Sequence, residues 1–193
     1  MTYCSKCNID IDKETYLASF KKYKKGLCKD CQKDNFNYQM IKGRIAEALI
    51  EQLFLKLGYR VYRYGMENTI PGIMDLLKNV SSDVSKIIRK MPDLVIQNQH
   101  GEAYFIEVKF RKDGCFSIRD VEKDSDKYPF ENAFFIIVSK KYIKCLSYKD
   151  LKDGKEITEH TKNYLGNIKE FETDKETIIE FCDYAKKFFE RVD

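Results

Sequence analysis

The sequence predicts an α/β fold with a central mixed β-sheet flanked by helices, preceded by a small N-terminal module. Three observations support this prediction: apolar residues recur at helical spacing over residues 38–57, strand-like apolar runs follow, and an amphipathic segment over residues 174–192 closes the chain. A chain of 193 residues with 43% hydrophobic content can bury one core and still carry a small module. We therefore assign residues 1–36 to the module and residues 37–193 to the α/β domain.

The helix predicted over residues 38–57 carries two residues of functional interest. Its apolar residues repeat every four positions, and the helix is expected to end before Gly58. Glu47 lies on the border of the apolar face, where a carboxylate can reach the edge of a sheet, and Arg44 lies one turn away. An exposed helical pair of Glu47 and Arg44 is the alternative.

Residues 91–112 are expected to form a β-hairpin that brings distant polar residues together. Two arms rich in β-branched and aromatic residues flank the polar turn sequence NQHG. With the turn centred on that sequence, Asp93 faces Ile106 or Glu107 across the ladder. Glu107 and Lys109 are two residues apart, so both project from the same face of their strand.

Two carboxylates and a lysine are costly to hold at one end of an apolar sheet unless a cation joins them. Few oxygen ligands with open positions suit Mg²⁺ or Mn²⁺, which can take further oxygens from water and phosphate. We therefore predict that Asp93, Glu107 and the backbone carbonyl of Val108 bind Mg²⁺. Lys109 would orient or help deprotonate the attacking water and offset charge on the phosphate. An ordinary cross-strand ion pair is the alternative.

The dipeptide Pro92-Asp93 and the tripeptide Glu107-Val108-Lys109 resemble the motif of the PD-(D/E)xK phosphodiesterase superfamily, which includes restriction endonucleases and Holliday junction resolvases. The resemblance implies a restriction endonuclease-like fold and metal-dependent DNA cleavage, with catalytic roles for the acidic residues and the lysine of the motif.

The resemblance covers about residues 38–150. It also implies a role for Glu47, because a helix before the hairpin often supplies an additional acidic residue, and Arg44 could contact phosphate. Residues 65–91 depart from the resolvase-like pattern, since we predict an insertion there with two short helices. Junction specificity is therefore not implied.

Other segments are expected to complete the sheet or to cover it. Residues 59–64 alternate in polarity and should form the first strand, and residues 134–139 are an almost fully apolar run typical of a central strand. The helix over residues 174–192 is expected to cover the sheet. A homodimer interface formed by its broad apolar face is the alternative.

Four cysteines form the most specific pattern in the chain. Cys4-x₂-Cys7 and Cys28-x₂-Cys31 have the spacing of a four-thiolate structural zinc site. The N-terminus lacks the apolar run of a signal peptide, so we expect a reducing, cytoplasmic setting in which disulfides are rare. Zinc binding would then supply most of the folding energy of the module.

The segment between the cysteine pairs combines basic and aromatic residues. Its lysines are interleaved with three aromatic residues, a mixture able to contact phosphates and stack on bases. A solvated loop with Phe20 covering the metal is the alternative. The formal net charge of +4 is too small to indicate nucleic-acid binding alone. The lysines are Lys21, Lys22, Lys24 and Lys25.

Several functional classes lack support in the sequence. Only two histidines are present, which argues against histidine-based nucleases and Ser-His or Cys-His catalysis. No glycine-rich phosphate loop and no apolar stretch of transmembrane length occur, so we expect neither a nucleotide cofactor nor a membrane partner.

The favoured interpretation is a Mg²⁺-dependent DNA endonuclease whose zinc module assists DNA engagement. A non-catalytic DNA-binding or interaction protein that retains the fold is the alternative. RNA is a second compatible substrate class, because the metal and the carboxylates act on the phosphate and do not read the sugar.

Overall fold

The computed structural model describes residues 2–65, 70, 72–77, 80, 82–122 and 127–190. Its strands are β1 (Thr2–Tyr3), β2 (Asp10–Ile11), β3 (Arg60–Arg63), β4 (Leu94–Gln97), β5 (Ala103–Phe110), β6 (Ala133–Val138) and β7 (Ile143–Ser147). Its α-helices are α1 (Lys13–Tyr23), α2 (Lys29–Lys56), α3 (Ile73–Leu76), α4 (Asp83–Arg89), α5 (Ile118–Val121), α6 (Tyr148–Lys152) and α7 (Lys175–Glu190), and a 3₁₀ turn spans Leu165–Asn167.

The chain forms two compact units, Met1–Arg44 and Ile45–Asp193. The boundary predicted at residue 36 falls inside α2, which begins well before the apolar repeat that predicted a helix from residue 38. The Cys28 sulfur accepts a hydrogen bond from the backbone N–H of Cys31 at 3.4 Å. Cys28 therefore caps the start of this helix, which apolar periodicity alone does not reveal.

The second unit is an α/β structure built on a mixed five-stranded sheet, as the sequence predicts. The strand order is β3-β4-β5-β6-β7, and only the β5–β6 pair is parallel. In the predicted hairpin, Leu94 pairs with Ile106 and Gln97 pairs with Ala103. The turn is closed by the Asn98 side chain, which accepts hydrogen bonds from the backbone N–H groups of His100 and Glu102.

The two faces of the sheet pack against different parts of the second unit. Ile106 and Val108 of β5 lie in one buried cluster with apolar residues of α2 and α7. Phe135 and Ile137 of β6 lie in a second cluster, which includes Tyr128 and residues of α6. Because side chains alternate along a strand, the polar face of β5 is directed toward the side of this second cluster.

The C-terminal helix covers the first face of the sheet, as expected. Phe181, Ala185 and Phe189 of α7 belong to the same cluster as the apolar face of β5. The Phe110 and Phe189 rings stack with centroids 4.2 Å apart. The predicted final positions of this helix, residues 191 and 192, lie outside the described residues.

A buried lysine organises the charged segment after β7, for which the sequence predicted no structure. Lys144 is fully buried, and its ammonium group donates hydrogen bonds to the carbonyl oxygens of Thr158, Glu159 and Thr161 at 2.7, 3.2 and 2.6 Å. Burial lowers the pKa of Lys144. The three carbonyl groups replace the water that a buried ammonium group loses, and this segment is thereby attached to the sheet.

Two adjacent phenylalanines of α7 test the packing of this helix. Phe189 is 0% exposed and Phe188 is 53% exposed. We expect Phe189→Ala to lower the free energy of unfolding by roughly 3–5 kcal/mol, because it leaves a cavity in the core. Phe188→Ala is the matched control and should cost less than about 1 kcal/mol. Urea denaturation of both variants measures the difference, and equal costs would contradict the packing described for α7.

Candidate active site and metal centre

The predicted acidic residues meet at the end of the hairpin. Asp93 immediately precedes β4, and the register that pairs Leu94 with Ile106 places Asp93 opposite Glu107. Asp93 is buried, and its carboxylate accepts a hydrogen bond from the backbone N–H of Val108 at 2.7 Å. This contact fixes the carboxylate of Asp93 against the strand that carries the other predicted catalytic residues.

Glu107 and Lys109 project from the same face of β5 and form an ion pair through Oε1 of Glu107. The Glu107 side chain is largely buried, and the Lys109 side chain is partly exposed. The second oxygen of Glu107, Oε2, is buried without a hydrogen-bond partner among the described residues. An ionised carboxylate oxygen in such a place is expensive unless a cation or a donor reaches it.

The electrostatics of this cluster follow from burial. Burial raises the pKa of Glu107 to about 7 against the opposing charge of Lys109, and the charges of Asp93 and Glu47 add to the rise. Burial also raises the pKa of Asp93, although Lys109 and the Val108 N–H oppose it. Burial lowers the pKa of Lys109, but the carboxylates of Glu107 and Asp93 outweigh it and raise that pKa. Lys109 is therefore an ammonium group at neutral pH.

Two acidic residues of α2, one turn apart, have different surroundings. Glu51 forms a salt bridge with Arg63, whose guanidinium nitrogen lies 2.6 Å from the carboxylate. Glu47 is half-buried, and its charge acts on Glu107 and Lys109. The structure thus brings Glu47 close enough to influence the carboxylate cluster electrostatically, whereas Glu51 is engaged at β3.

Tyr128 is a residue that sequence reasoning did not select for this site. Its hydroxyl group is buried without a hydrogen-bond partner among the described residues. Burial raises the pKa of Tyr128, and the charges of Glu107 and Asp93 add to that rise. The ring packs against Phe135 and Tyr148, with centroids 5.2 and 5.3 Å away. In the sequence it is a tyrosine after a polar segment, which does not distinguish it from a core residue.

The carboxylates can supply few ligands to a cation. Within the described part of the chain, only the four cysteines form a group of three or more His, Cys, Asp or Glu ligand atoms close enough to hold a metal together. Glu47 therefore does not join Asp93 and Glu107 as a third converging carboxylate. Two carboxylates, one of which has an unpartnered buried oxygen, still fit Mg²⁺, since this ion keeps several waters in protein sites.

The four predicted zinc ligands converge in the first unit. The sulfur atoms of Cys4, Cys7, Cys28 and Cys31 all lie within 4.8 Å of one another. Tetrahedral zinc with bonds of about 2.3 Å to sulfur requires sulfur separations of about 3.8 Å. The Cys7–Cys28 separation is 3.6 Å. The cluster could therefore hold a structural metal such as zinc.

The protonation of the cysteines also fits a cation. Burial opposes ionisation of Cys4, but backbone N–H groups of Cys28, Cys7 and Lys6 lower the pKa of its thiol to about 6. Burial and the neighbouring thiols raise the pKa of Cys31. Metal-bound cysteines are thiolates, which repel one another. The positive charge of a bound cation would offset this repulsion.

The predicted nucleic-acid-binding residues are all exposed in the first unit. Lys21 and Lys22 lie in the last turn of α1, Lys24 follows it in a left-handed conformation, and Lys25 comes next. Arg44 is an exposed residue of α2. Their exposure is compatible with contacts to phosphates and equally with a solvated surface.

Comparisons with known proteins do not assign a family: no family model, no curated protein and no solved structure matches this chain. The resemblance to the PD-(D/E)xK superfamily therefore rests on the motif residues and on their places in the sheet. None of the helices within the described ranges combines the length and apolar character needed to cross a membrane.

Elemental analysis tests the cysteine cluster. We expect about one zinc ion per chain in protein purified without chelator, and loss of zinc in Cys7→Ser and Cys31→Ser, because each removes one of four ligands. Cys115→Ser is the matched control, since Cys115 is an exposed cysteine outside the cluster, and it should retain the metal. Absence of zinc from the wild-type protein would refute the assignment.

The pKa of Glu107 makes stability depend on pH. A pKa of about 7 lies above the ordinary value of 4.5, so the folded protein binds more protons than the unfolded chain between these pH values. Stability without added magnesium should therefore fall as the pH rises through this interval. We expect Glu107→Gln, which cannot ionise, to lose this dependence and to melt roughly 5 °C above the wild type at about pH 8.

Glu102 on the same hairpin is the control with the opposite sign. Hydrogen bonds from Asn98 and Tyr104 lower the pKa of Glu102, so ionisation of this residue stabilises the fold. Glu102→Gln should melt below the wild type at about pH 8. Thermal melts across pH compare the three proteins, and a Glu107→Gln variant less stable than the wild type at every pH would contradict the account.

Proposed function

We propose that this protein is a Mg²⁺-dependent endodeoxyribonuclease of the PD-(D/E)xK type, with a restriction endonuclease-like fold and a zinc module that assists DNA engagement. The observation that carries the proposal is the meeting of Asp93, Glu107 and Lys109 on one face at the end of β4 and β5, with a buried Glu107 oxygen that lacks a partner. A simple surface ion pair does not account for two largely buried carboxylates.

Asp93, Glu107 and the backbone carbonyl of Val108 would hold the magnesium ion. When bound there, Mg²⁺ would polarise the scissile phosphate and lower the pKa of a bound water molecule. The hydrogen bond from the Val108 N–H keeps the Asp93 carboxylate in place before any ligand binds. Such preorganisation is where much of the catalytic effect of charged sites originates.

Lys109 contributes positive charge. Because the carboxylates raise its pKa, Lys109 is protonated at neutral pH and cannot act as the resting general base. Its ammonium group is suited to offset the negative charge that develops on the phosphate and to orient a water molecule. Of the two roles predicted for Lys109, charge stabilisation is the better supported.

Glu47 and Tyr128 act at the border of this site. The influence of Glu47 on the pKa of Glu107 and Lys109 supports a role in orienting water or tuning charge, without direct ligation. Tyr128 supplies a buried hydroxyl group beside the same carboxylates. Arg44 remains a candidate for contact with the DNA backbone.

The competing function is a non-catalytic DNA-binding or interaction protein with the same fold. The two functions differ in one observable, which is metal-dependent turnover. Incubation of zinc-loaded protein with plasmid, branched and single-stranded DNA, with and without added Mg²⁺, distinguishes them. Omission of magnesium is a cleaner control than EDTA, because a chelator would also remove zinc. Binding without cleavage of every substrate would favour the competing function.

Two isosteric replacements test the assigned roles. We expect Asp93→Asn and Lys109→Met to lower the Mg²⁺-dependent cleavage rate by roughly 10³-fold, since each removes a charge from the reacting centre. Glu102→Gln, which changes an exposed acid at the turn of the same hairpin, should cleave at the wild-type rate. Circular dichroism and zinc content verify folding. Wild-type activity in both Asp93→Asn and Lys109→Met would eliminate the proposed catalytic centre.

A further inference from the structure

The outer face of α1 exposes apolar side chains in a basic setting. Leu17 is 56% exposed and Phe20 is 45% exposed. They are three residues apart on the helix, and Lys13, four residues before Leu17, lies on the same stripe. We define this surface, formed by Tyr16, Leu17 and Phe20, as the α1 platform.

The aromatic part of the α1 platform is held by the backbone beneath it. The Tyr16 and Phe20 rings stack with centroids 5.9 Å apart and planes 14° from parallel. The Tyr16 ring in turn lies so close to Gly26 that a Cβ atom on Gly26 would come within 2.1 Å of it. Tyr16 is therefore fixed in position, and Phe20 rests on a fixed ring. Tyr23 is partly buried against the cysteine cluster and is not part of this surface.

The charge at the C-terminal end of the α1 platform has one sign, whereas the acidic residues Asp12 and Glu14 lie at the N-terminal end of the helix. Residues 15–29 contain five lysines and no acidic residue. Lys21, Lys24 and Lys25 are exposed and lie beside or beyond Phe20 at the C-terminal end of α1. A surface that binds another protein through apolar contacts does not require such an excess of positive charge, whereas a surface that binds a polyanion does.

We propose that the α1 platform binds single-stranded DNA, with a base stacked on Phe20 and flanking phosphates against Lys21, Lys24 and Lys25. The choice of DNA as the polyanion rests on the proposed nuclease function. The preference for a single strand follows from the ring, because a flat aromatic surface needs the face of an unpaired base, and duplex bases present only their edges. The substrate of the enzyme therefore contains an unpaired segment.

The test measures binding without cleavage. Fluorescence anisotropy of the full, zinc-loaded chain without added magnesium compares labelled oligothymidylate, a blunt duplex and oligouridylate. We expect the oligothymidylate to bind most tightly. Phe20→Ala should weaken that binding about 10-fold, and Phe20→Trp should retain it, because a larger ring still stacks.

Phe36→Ala is the matched control for the loss of an exposed phenylalanine. Phe36 is 51% exposed in the same unit, on α2 and outside the α1 platform, and its replacement should leave binding unchanged. The logarithm of the binding constant falls linearly with the logarithm of the salt concentration. The combined Lys21→Ala, Lys24→Ala and Lys25→Ala replacement should make this slope shallower by roughly 0.7 for each phosphate contact removed. Zinc content confirms that each variant retains the metal centre.

The outcomes separate this inference from the proposed function. Tighter binding of the duplex, equal binding by Phe20→Ala and the wild type, or equal losses in Phe20→Ala and Phe36→Ala would overturn the stacking assignment. Tighter binding of oligouridylate would overturn the assignment to DNA. Strand-selective binding that depends on Phe20, in a protein that cleaves no substrate, would sustain the platform and remove the nuclease.

Discussion

The fold of the second unit holds three charged groups where their own interactions only partly stabilise them. Asp93, just before β4, and Glu107, on the neighbouring strand β5, are both largely buried. Lys109 neutralises only part of their combined negative charge. The rise in the pKa of Glu107 to about 7 reflects this incomplete neutralisation, since a fully compensated carboxylate would ionise near its ordinary value. A divalent cation is the simplest partner that would complete the balance.

The sheet makes this arrangement unavoidable once the hairpin forms. The apolar residues Ile106 and Val108 must face α2 and α7, so the intervening Glu107 and Lys109 are forced to the other face. The parallel β5–β6 pair then places apolar β6 residues beside them and excludes water from one side. The same strand, β5, thus stabilises the core through one face and carries the destabilising charged cluster on the other. Local departures of this kind from favourable packing are often found at functional sites.

The hairpin and the cysteine cluster could be predicted from the sequence because each depends on local spacing. Alternation along β5 and the polar turn determined which residues share a face, and two Cys-x₂-Cys pairs determined the ligand set. Tyr128 and Lys144 could not be found this way. Their roles depend on packing and hydrogen bonds between separate segments of the chain. The early start of α2 was missed because cysteine capping, and not apolar repetition, begins the helix.

The pH dependence of Mn²⁺ binding, followed by electron paramagnetic resonance on zinc-loaded protein, tests the central claim most directly. If Asp93 and Glu107 share a divalent cation, one Mn²⁺ should bind per chain, Mg²⁺ should compete for it, and the affinity should rise as Glu107 loses its proton near pH 7. Glu107→Gln should abolish this binding. Affinity that is independent of pH and unchanged in Glu107→Gln would show that the buried acids serve the fold alone.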